Sequence, residues 1–209
     1  MVDMQILFSL VLFVIIGIPT ILLILGKIIS LIVSFSATRS VTLSPELGRK
    51  GKALVVYEPG ASGLTKKVAE SIGSELMGKG FEVKVAGIRS PEARITKGYD
   101  ILVYGTPSYL GRPTGVYKKL VKNLRPSAGQ VFGFFVTGNK GAPSVGLVPK
   151  VFLEKMKKPI EESGIKAREM AFVGYGEFDY PEFVARLMAD EAQLININQD
   201  VPAEPPHVN

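Results

Sequence analysis

The chain has 209 residues, which is room for one globular domain and a further segment, and its formal net charge is +6. It has no cysteine, which excludes disulfides, thiolate catalysis, iron–sulfur clusters and cysteine-ligated zinc or haem. The single histidine, His207, lies in a proline-rich tail without a second histidine, which excludes histidine triads and His-rich metal sites. We therefore expect no metal, and any redox chemistry requires a bound organic cofactor. No recognition motif accompanies the positive charge, so we expect no nucleic-acid partner.

The first predicted element is a helix that spans a membrane. Gln5–Gly26 carries no charge over 22 residues, enough to cross a hydrocarbon core of about 30 Å at about 1.5 Å per residue. A cleaved signal peptide has a basic start and a shorter apolar run, whereas this segment follows Asp3. The pattern therefore favours a retained anchor over residues 1–35.

Two features modify this anchor. Gly17 and Pro19 predict a kink, which membrane helices tolerate. Lys27 can reach the interface by snorkelling, so Ile28–Phe35 either lies along the membrane surface or extends a tilted helix.

Flanking charge predicts the orientation of the anchor. The N-terminal side offers only Asp3, whereas the C-terminal side is basic. Its cations are Arg39, Arg49, Lys50 and Lys52. The positive-inside rule then places the soluble part in the cytoplasm, on a single-pass protein of the cell membrane with a very short external N-terminus. Residues 36–51 are interpreted as a polar tether.

Beyond the tether, short apolar runs alternate with amphipathic segments. The apolar runs predict strands at Ala53–Tyr57, Phe81–Ala86, Ile101–Tyr104, Val131–Val136 and Met170–Val173. Helices are predicted over Thr65–Gly80, around Val116–Val121, over Val148–Glu162 and over Pro181–Ile195. Pro159 should bend its helix or end the regular part of it. The link between the second and third strands is short and should hold only a turn or so.

This alternation predicts an α/β domain with a doubly wound parallel sheet covered on both faces. We assign the domain to residues 52–197 and a disordered tail to residues 198–209. Ligands of such sheets bind beyond the carboxyl ends of the strands. Glycine-rich loops follow the first, third and fourth predicted strands, so these loops are the candidate site.

The first of these loops, Glu58–Thr65, has the composition of an anion site. The N–H groups at the start of the following helix are unpaired, and the helix dipole favours an anion there. Ser62 and Thr65 add hydroxyls, and Gly60 and Gly63 let the backbone close around a phosphate. A tight turn with a Ser/Thr cap would have the same composition. The Lys-Ser/Thr pair of a Walker loop is missing, so ATP or GTP hydrolysis is not expected.

The stretch VVYEPGASGLTKKVAE resembles the phosphate loop of flavodoxins, whose pattern is Ser/Thr-x-Thr/Ser-Gly-x-Thr. Ser62, Gly63 and Thr65 match this pattern, whereas Gly60 replaces its first hydroxyl residue and Leu64 an asparagine. The second loop, YDILVYGTPSYLGRP, resembles the flavodoxin segment with Gly-Ser/Thr-Pro-x-Tyr-x-Gly after the third strand. Its matching residues are Gly105, Thr106, Pro107, Tyr109 and Gly111. The third loop, from Thr137 to Gly141, matches loosely.

The resemblance covers roughly residues 52–195 and implies a five-stranded flavodoxin-like sheet in the order 2-1-3-4-5, with FMN as cofactor. It implies that the phosphate lies on the first loop and the isoalloxazine between the other two, with Tyr109 or its neighbours on the ring. The implied cofactor-binding residues are Gly60, Ala61, Ser62, Gly63, Leu64, Thr65, Thr106, Pro107, Ser108, Tyr109, Gly111, Thr137, Gly138, Asn139 and Gly141.

Two predicted helices carry clusters of cations. They are Lys118, Lys119, Lys122 and Arg125 on one helix, and Lys150, Lys155, Lys157 and Lys158 on the other. These are either ordinary solvated faces or surfaces that attract anionic lipid headgroups or an acidic redox partner.

The leading hypothesis is a membrane-anchored FMN protein that transfers electrons to or from a redox partner protein or a membrane complex. A second hypothesis is a flavin-dependent oxidoreductase that acts on a quinone or a similar lipid-phase substrate. A third is a non-redox interaction subunit of a membrane complex that has lost FMN, because Gly60 and Leu64 each remove a polar side chain from the phosphate loop.

Overall fold

The structure is a computed structural model that describes residues 4–46, 48–109, 112–138, 148–174 and 178–188. Its helices are α1 Met4–Leu12, α2 Ile18–Ser36, α3 Leu64–Gly78, α4 Gly115–Asn123, α5 Val148–Glu162 and α6 Tyr180–Met188. Its strands are β1 Ser40–Leu43, β2 Gly51–Tyr57, β3 Phe81–Gly87, β4 Ile101–Tyr109, β5 Arg112–Pro113, β6 Val131–Thr137 and β7 Ala167–Val173. A π-helical turn, Phe13–Gly17, joins α1 to α2, and a 3-10 turn, Glu92–Arg94, follows β3.

The N-terminal helical run is apolar and exposed. Met4–Ile28 is long and apolar enough to cross a membrane, and none of the window that meets this test is buried inside the protein. The irregularity that Gly17 and Pro19 predict takes the form of the π-helical turn, which ends at Gly17. The Thr20 hydroxyl, next to the proline, donates to the Ile16 carbonyl at 2.6 Å.

The sheet confirms the predicted strand order. Its sequence of neighbours is β1-β3-β2-β4-β6-β7, and β2, β3, β4, β6 and β7 are parallel. These five strands correspond to the five predicted from the sequence, and their order is 2-1-3-4-5. The short β5 pairs antiparallel with the end of β4.

Successive residues along each strand face two different apolar cores, as a parallel sheet covered on both faces requires. In β2, Ala53 and Val55 face one core, whereas Leu54 and Val56 face the other. Residues of α3 and α6 complete the first core, and residues of α4 and α5 complete the second. The carboxyl ends of the parallel strands therefore meet at one edge, between the helix layers.

The edge strand β1 corrects the sequence analysis, which assigned residues 36–51 to a polar tether. Ser40 lies opposite Ala86 and Leu43 opposite Val83, so residues 40–43 extend the sheet antiparallel to β3. The Leu43 side chain packs against the first core. Four residues carry too little periodicity to predict a strand, and the partner strand lies far along the chain.

The end of α2 is fixed to the sheet. Ala37 is 2% exposed and packs in the second core, and its carbonyl accepts a hydrogen bond from the Arg89 N–H at 2.9 Å. The Tyr57 hydroxyl donates to the Ser36 carbonyl at 3.1 Å. A Cβ on Gly87 would overlap the Ala37 backbone, so this close approach needs the glycine. The apolar helix thus enters the domain without a flexible linker.

Other predicted elements are close to those observed. The link between β3 and β4 contains only the single 3-10 turn. Helix α5 has its predicted bounds and continues past Pro159 to Glu162, so the proline does not end it. Helix α6 begins at Tyr180, and the part of its prediction beyond residue 188 lies outside the described residues.

Candidate functional site

The three loops proposed from the sequence contact one another at the carboxyl edge of the sheet. They follow β2, β4 and β6, which are neighbours in the sheet. A Cβ on Gly60 would lie 3.1 Å from the Pro107 Cβ and 3.5 Å from the Tyr109 hydroxyl oxygen. A Cβ on Gly138 would lie 2.6 Å from the Ser108 Oγ. Glycine at these two positions therefore lets the first and third loops close onto the second.

The first loop is a tight turn into α3. Gly63 has a φ of 71°, in the left-handed region that favours glycine, and its N–H donates to the Gly60 carbonyl at 3.0 Å. The Ser62 Oγ accepts a hydrogen bond from the Leu64 N–H at 3.3 Å. Ala61 and Ser62 are exposed, whereas Gly60 is buried. The loop thus presents its middle residues to solvent at the start of the helix.

This loop offers hydrogen-bond donors to an anion. Within the described part of the chain, the backbone N–H groups of Ala61, Ser62, Thr65 and Lys66 have no protein acceptor. They lie at the N-terminus of a 15-residue helix, where the aligned peptide dipoles favour negative charge. The donors and the dipole suit a phosphate group.

The sequence suggests that the Thr65 hydroxyl faces a phosphate, whereas in the structure this hydroxyl bonds to another loop. Its hydroxyl lies 2.6 Å from the Thr137 hydroxyl, and both side chains are buried. This hydrogen bond joins the start of α3 to the end of β6. The side chain of Thr65 therefore positions the first loop beside the third and presents no exposed hydroxyl to a ligand.

The second loop begins with buried residues and ends with an exposed aromatic ring. Strand β4 continues five residues beyond its predicted end at Tyr104, so Thr106, Pro107, Ser108 and Tyr109 belong to the strand. Thr106 and Pro107 are buried, Ser108 is half-buried and Tyr109 is 54% exposed. The Tyr109 ring is therefore available at the rim of the site.

Three predicted site residues lie outside the described residues: Gly111, Asn139 and Gly141. The described beginning of the third loop is tied to the sheet, because the Gly138 N–H donates to the Val173 carbonyl at 3.1 Å. Thr137 is buried and Gly138 is half-buried.

Glu58 is a site residue that the sequence analysis did not propose. Its carboxylate accepts hydrogen bonds from the Thr106 hydroxyl at 2.9 Å and from the Thr114 hydroxyl. Burial raises the pKa of this carboxyl, although the two hydroxyl bonds and the nearby Arg89 guanidinium act in the opposite direction. A carboxyl that holds its proton more tightly than usual thus lies beneath the second loop.

The sequence feature that could have identified Glu58 as a site residue is its position directly after the carboxyl end of a buried strand. Its partners could not be anticipated, because Thr106 is 48 residues and Thr114 is 56 residues away along the chain. Thr114 also caps α4, since its hydroxyl oxygen accepts from the Tyr117 N–H at 3.1 Å.

Comparison with known proteins gives matches among solved structures only. No protein-family model and no curated protein matches the chain. The two-electron reduced flavodoxin of Megasphaera elsdenii aligns with a TM-score of 0.52 and 19% identity, over 68% of this chain and 98% of its own. A flavodoxin of Streptococcus pneumoniae aligns with a TM-score of 0.51 and 16% identity, over 68% of this chain and 98% of its own.

A flavodiiron core from Synechocystis also aligns, with a TM-score of 0.50 and 15% identity, over 72% of this chain and 37% of its own. These identities are low, so the likeness concerns the fold. Together with the strand order and the three converging loops, these alignments establish that the chain has the flavodoxin fold.

Proposed function

We propose that this chain is a membrane-anchored FMN protein that transfers electrons to or from a membrane-associated redox partner. The observation that carries the proposal is the convergence of the three loops at the carboxyl edge of the sheet, in contact through Gly60 and Gly138. In open α/β sheets this edge is where nucleotide-like ligands bind.

The residues present fit FMN at its phosphate end. The unpaired N–H groups of Ala61, Ser62, Thr65 and Lys66 would hold the phosphate through the backbone, with the exposed Ser62 hydroxyl beside them. Backbone donors do not depend on side-chain identity, so Leu64 in place of a polar residue does not remove them. The exposed Tyr109 ring provides an apolar surface for a flat ring system.

When bound, FMN supplies the one- and two-electron chemistry that no side chain of this protein provides. The protein positions the cofactor and controls access to it. Glu58 would hold a proton at its carboxyl beneath the second loop, and the Thr106 hydroxyl joins that carboxyl to the loop itself. The half-exposed Tyr109 would leave this side of the site open to a partner.

Membrane attachment is supported by the apolar run Met4–Ile28 and by the basic residues that follow it. We propose that this run spans the cell membrane once and that the flavodoxin-fold domain faces the cytoplasm. Attachment raises the local concentration of a membrane-bound partner, so weak docking suffices for electron transfer.

A second candidate function is oxidoreduction of a quinone or a similar lipid-phase substrate. The observation in its favour is the fixed junction of α2 with the ends of β2 and β3, through Ser36, Ala37 and Tyr57. This junction holds the carboxyl edge of the sheet close to the end of the apolar helix, where such a substrate would arrive.

The test is flavin binding by the full chain in a mild detergent. We expect FMN to give a protein-bound visible flavin spectrum that dithionite bleaches, and to raise the unfolding temperature. At a free concentration of 100 times its dissociation constant, FMN should stabilise the fold by about 2.7 kcal/mol. Riboflavin, which lacks the phosphate, should stabilise it much less. A chain that binds neither flavin would be an interaction subunit without redox function.

A matched pair of variants tests the phosphate loop. Gly63 and Gly98 both have positive φ, 71° and 86°, and an added Cβ would meet no neighbour at either position. Gly63→Ala and Gly98→Ala should therefore cost similar stability, about 1–2 kcal/mol each. Only Gly63→Ala should weaken FMN binding, by about fivefold to tenfold. Equal FMN affinity in the two variants would contradict the placement of the phosphate.

A further inference from the structure

A groove of about 610 Å³ lies beside the end of the anchor helix, between the segment after β3 and helix α4. Its apolar wall includes Ile88, Val116 and Leu120, and its basic residues are Arg89, Arg94 and Lys119. None of the described residues that line it is acidic. A ligand of this groove would therefore combine negative charge with apolar surface.

The charge of the groove is largely uncompensated. Arg89, Arg94 and Lys119 form no ion pair with any carboxylate in the described ranges of the chain. Lys122, on the same helix as Lys119, does form one, with Glu162 at 3.3 Å. Arg89 also interacts electrostatically with the Glu58 carboxyl. Among the described residues, Arg94 and Lys119 are therefore the cations of the groove that have no carboxylate partner.

The groove continues to the anchor helix. A smaller cavity shares Ile88, Arg89 and Val116 with it. Its other lining residues are Ser34, Ala37, Glu58 and Pro59. An Nη of Arg89 lies 3.5 Å from the Ser34 Oγ. The last turn of α2 therefore forms one end of a continuous surface that is mostly basic and apolar, with the Glu58 carboxyl in the smaller cavity.

The anchor helix brings this surface to the outer edge of the headgroup layer. Ser34 lies six residues beyond Ile28, the end of the apolar run, which is about 9 Å along a helix. Each headgroup layer of a bilayer is about 5–8 Å thick beyond the hydrocarbon core. Leu31 and Phe35 are 72% and 59% exposed on this part of the helix, so apolar surface extends to the domain. The groove thus begins at the outer edge of the headgroup layer, within reach of the long Arg and Lys side chains that line it.

We propose that this groove binds an anionic phospholipid of the membrane that the anchor enters, with Arg94 and Lys119 at the headgroup phosphate and Val116 and Leu120 against the apolar part of the lipid next to it. The proposal rests on the membrane insertion proposed above and does not depend on FMN. A bound lipid would fix the orientation of the sheet's carboxyl edge relative to the membrane plane.

The test uses a tryptophan reporter, because the chain contains no tryptophan. Val116→Trp places one at the groove, where Val116 is 41% exposed. The full chain is inserted into phosphatidylcholine nanodiscs that contain equal fractions of brominated phosphatidylglycerol or brominated phosphatidylcholine. We expect the anionic lipid to quench the reporter more strongly. Arg94→Gln and Lys119→Gln should each lower the enrichment of the anionic lipid at the groove about fivefold, since a basic residue near the membrane surface contributes about 1 kcal/mol to lipid binding.

Lys118→Gln is the matched control. Lys118 is exposed on the same helix but does not line the groove, so a specific site predicts unchanged quenching for this variant. Equal quenching by the two lipids, or an equal loss in Lys118→Gln and Lys119→Gln, would overturn the proposal. If Val116→Trp fails to fold, native mass spectrometry of the unmodified chain replaces it, and phosphatidylglycerol should be retained in preference to phosphatidylcholine.

The flavin spectrum of the same samples separates this proposal from the proposed function. A chain that inserts and binds FMN but shows no lipid preference loses only the lipid site. A chain that is quenched by neither lipid holds no lipid at the groove, which would overturn the lipid site, while its recovery in the nanodiscs separately tests the anchor. A chain that prefers the anionic lipid without binding FMN keeps the lipid site and loses the redox function.

Discussion

Three core tyrosines of this protein differ in what their hydroxyls contact. The Tyr57 hydroxyl donates to the Ser36 carbonyl at 3.1 Å, at the junction of anchor and sheet. The hydroxyls of Tyr104 and Tyr117 are buried and have no partner among the described residues. A buried hydroxyl without a partner has lost its water without compensation, whereas a bonded one has not.

This difference predicts opposite outcomes for one chemical change. Tyr57→Phe should lower the unfolding free energy by about 1 kcal/mol, because it removes a hydrogen bond. Tyr104→Phe and Tyr117→Phe should leave it unchanged or raise it by up to about 1 kcal/mol. Thermal unfolding of the full chain in detergent measures all three. A loss in Tyr104→Phe as large as that in Tyr57→Phe would mean that buried water satisfies its hydroxyl.

Glu58 should make stability depend on pH. Burial raises the pKa of its carboxyl above the ordinary value of 4.5, so the folded state binds this proton more tightly than the unfolded chain. Protonated Glu58 therefore stabilises the folded state. This contribution is complete below pH 4.5 and is lost as pH rises through the raised pKa. Glu58→Gln removes this loss. We expect the variant to gain stability relative to the wild type between pH 4.5 and neutrality, in unfolding measured across that range.

Glu92→Gln serves as the control with the opposite sign. Glu92 is half-buried, and the hydrogen bond from its own backbone N–H lowers its pKa, with the Ser40 hydroxyl acting in the same direction. Ionised Glu92 therefore stabilises the folded state, a contribution that is present above pH 4.5 and is lost as pH falls. This variant should lose a little stability relative to the wild type as pH rises. Parallel curves for the two variants would show that the burial of Glu58 does not govern its titration.

At the scale of elements, helix α3 packs closely on the sheet through a glycine. A Cβ on Gly73 would lie 2.8 Å from a methyl carbon of Val85 in β3 and 3.4 Å from a methyl carbon of Leu43 in β1. Gly78, near the end of the same helix, would meet no neighbour within 4 Å. One glycine is therefore required by packing and the other is not.

The same substitution at these two positions should have opposite effects. Gly73→Ala should lower the unfolding free energy by about 1–3 kcal/mol, because overpacking exceeds the gain in helix propensity. Gly78→Ala should raise it by up to about 1 kcal/mol through propensity alone. Chemical or thermal unfolding of both variants measures these two changes in stability. If Gly73→Ala were as stable as Gly78→Ala, the contact of α3 with Val85 and Leu43 would be looser than described.

At the scale of the whole molecule, the anchor and the domain meet at a defined boundary. Ala37 belongs to the second core, and β1 covers the outer edge of β3. An exposed strand edge promotes pairing with other molecules. The soluble domain should therefore begin at Ala37 and not after the predicted tether.

Two truncated chains test this boundary. A chain that starts at Ala37 should be a soluble monomer. A chain that starts at Arg49 lacks β1 and the Leu43 contact, so it should be less stable by about 2 kcal/mol and should self-associate. Thermal unfolding and light scattering compare the two. Equal stability and equal size would show that β1 is dispensable.

The amino-acid sequence by itself determined the five parallel strands and the helices that alternate with them. Strand β2 could be predicted because its apolar run is local, and the glycines of the first loop because a tight turn needs them at fixed positions. The order 2-1-3-4-5 followed from the resemblance of two loops to flavodoxins, and the sheet confirms it. The FMN phosphate site on the first loop and the membrane anchor stay predictions.

Only the tertiary structure decided which of these residues contact one another. Thr65 bonds to Thr137, 72 residues away, so its hydroxyl is used inside the protein. Burial in the folded protein raises the pKa of the Glu58 carboxyl, against the lowering effect of its hydrogen bonds from Thr114 and Thr106. Strand β1 exists because β3 offers it an edge. The physical reason is common to these cases: each depends on a surface that forms only when distant segments pack, and no local pattern records it.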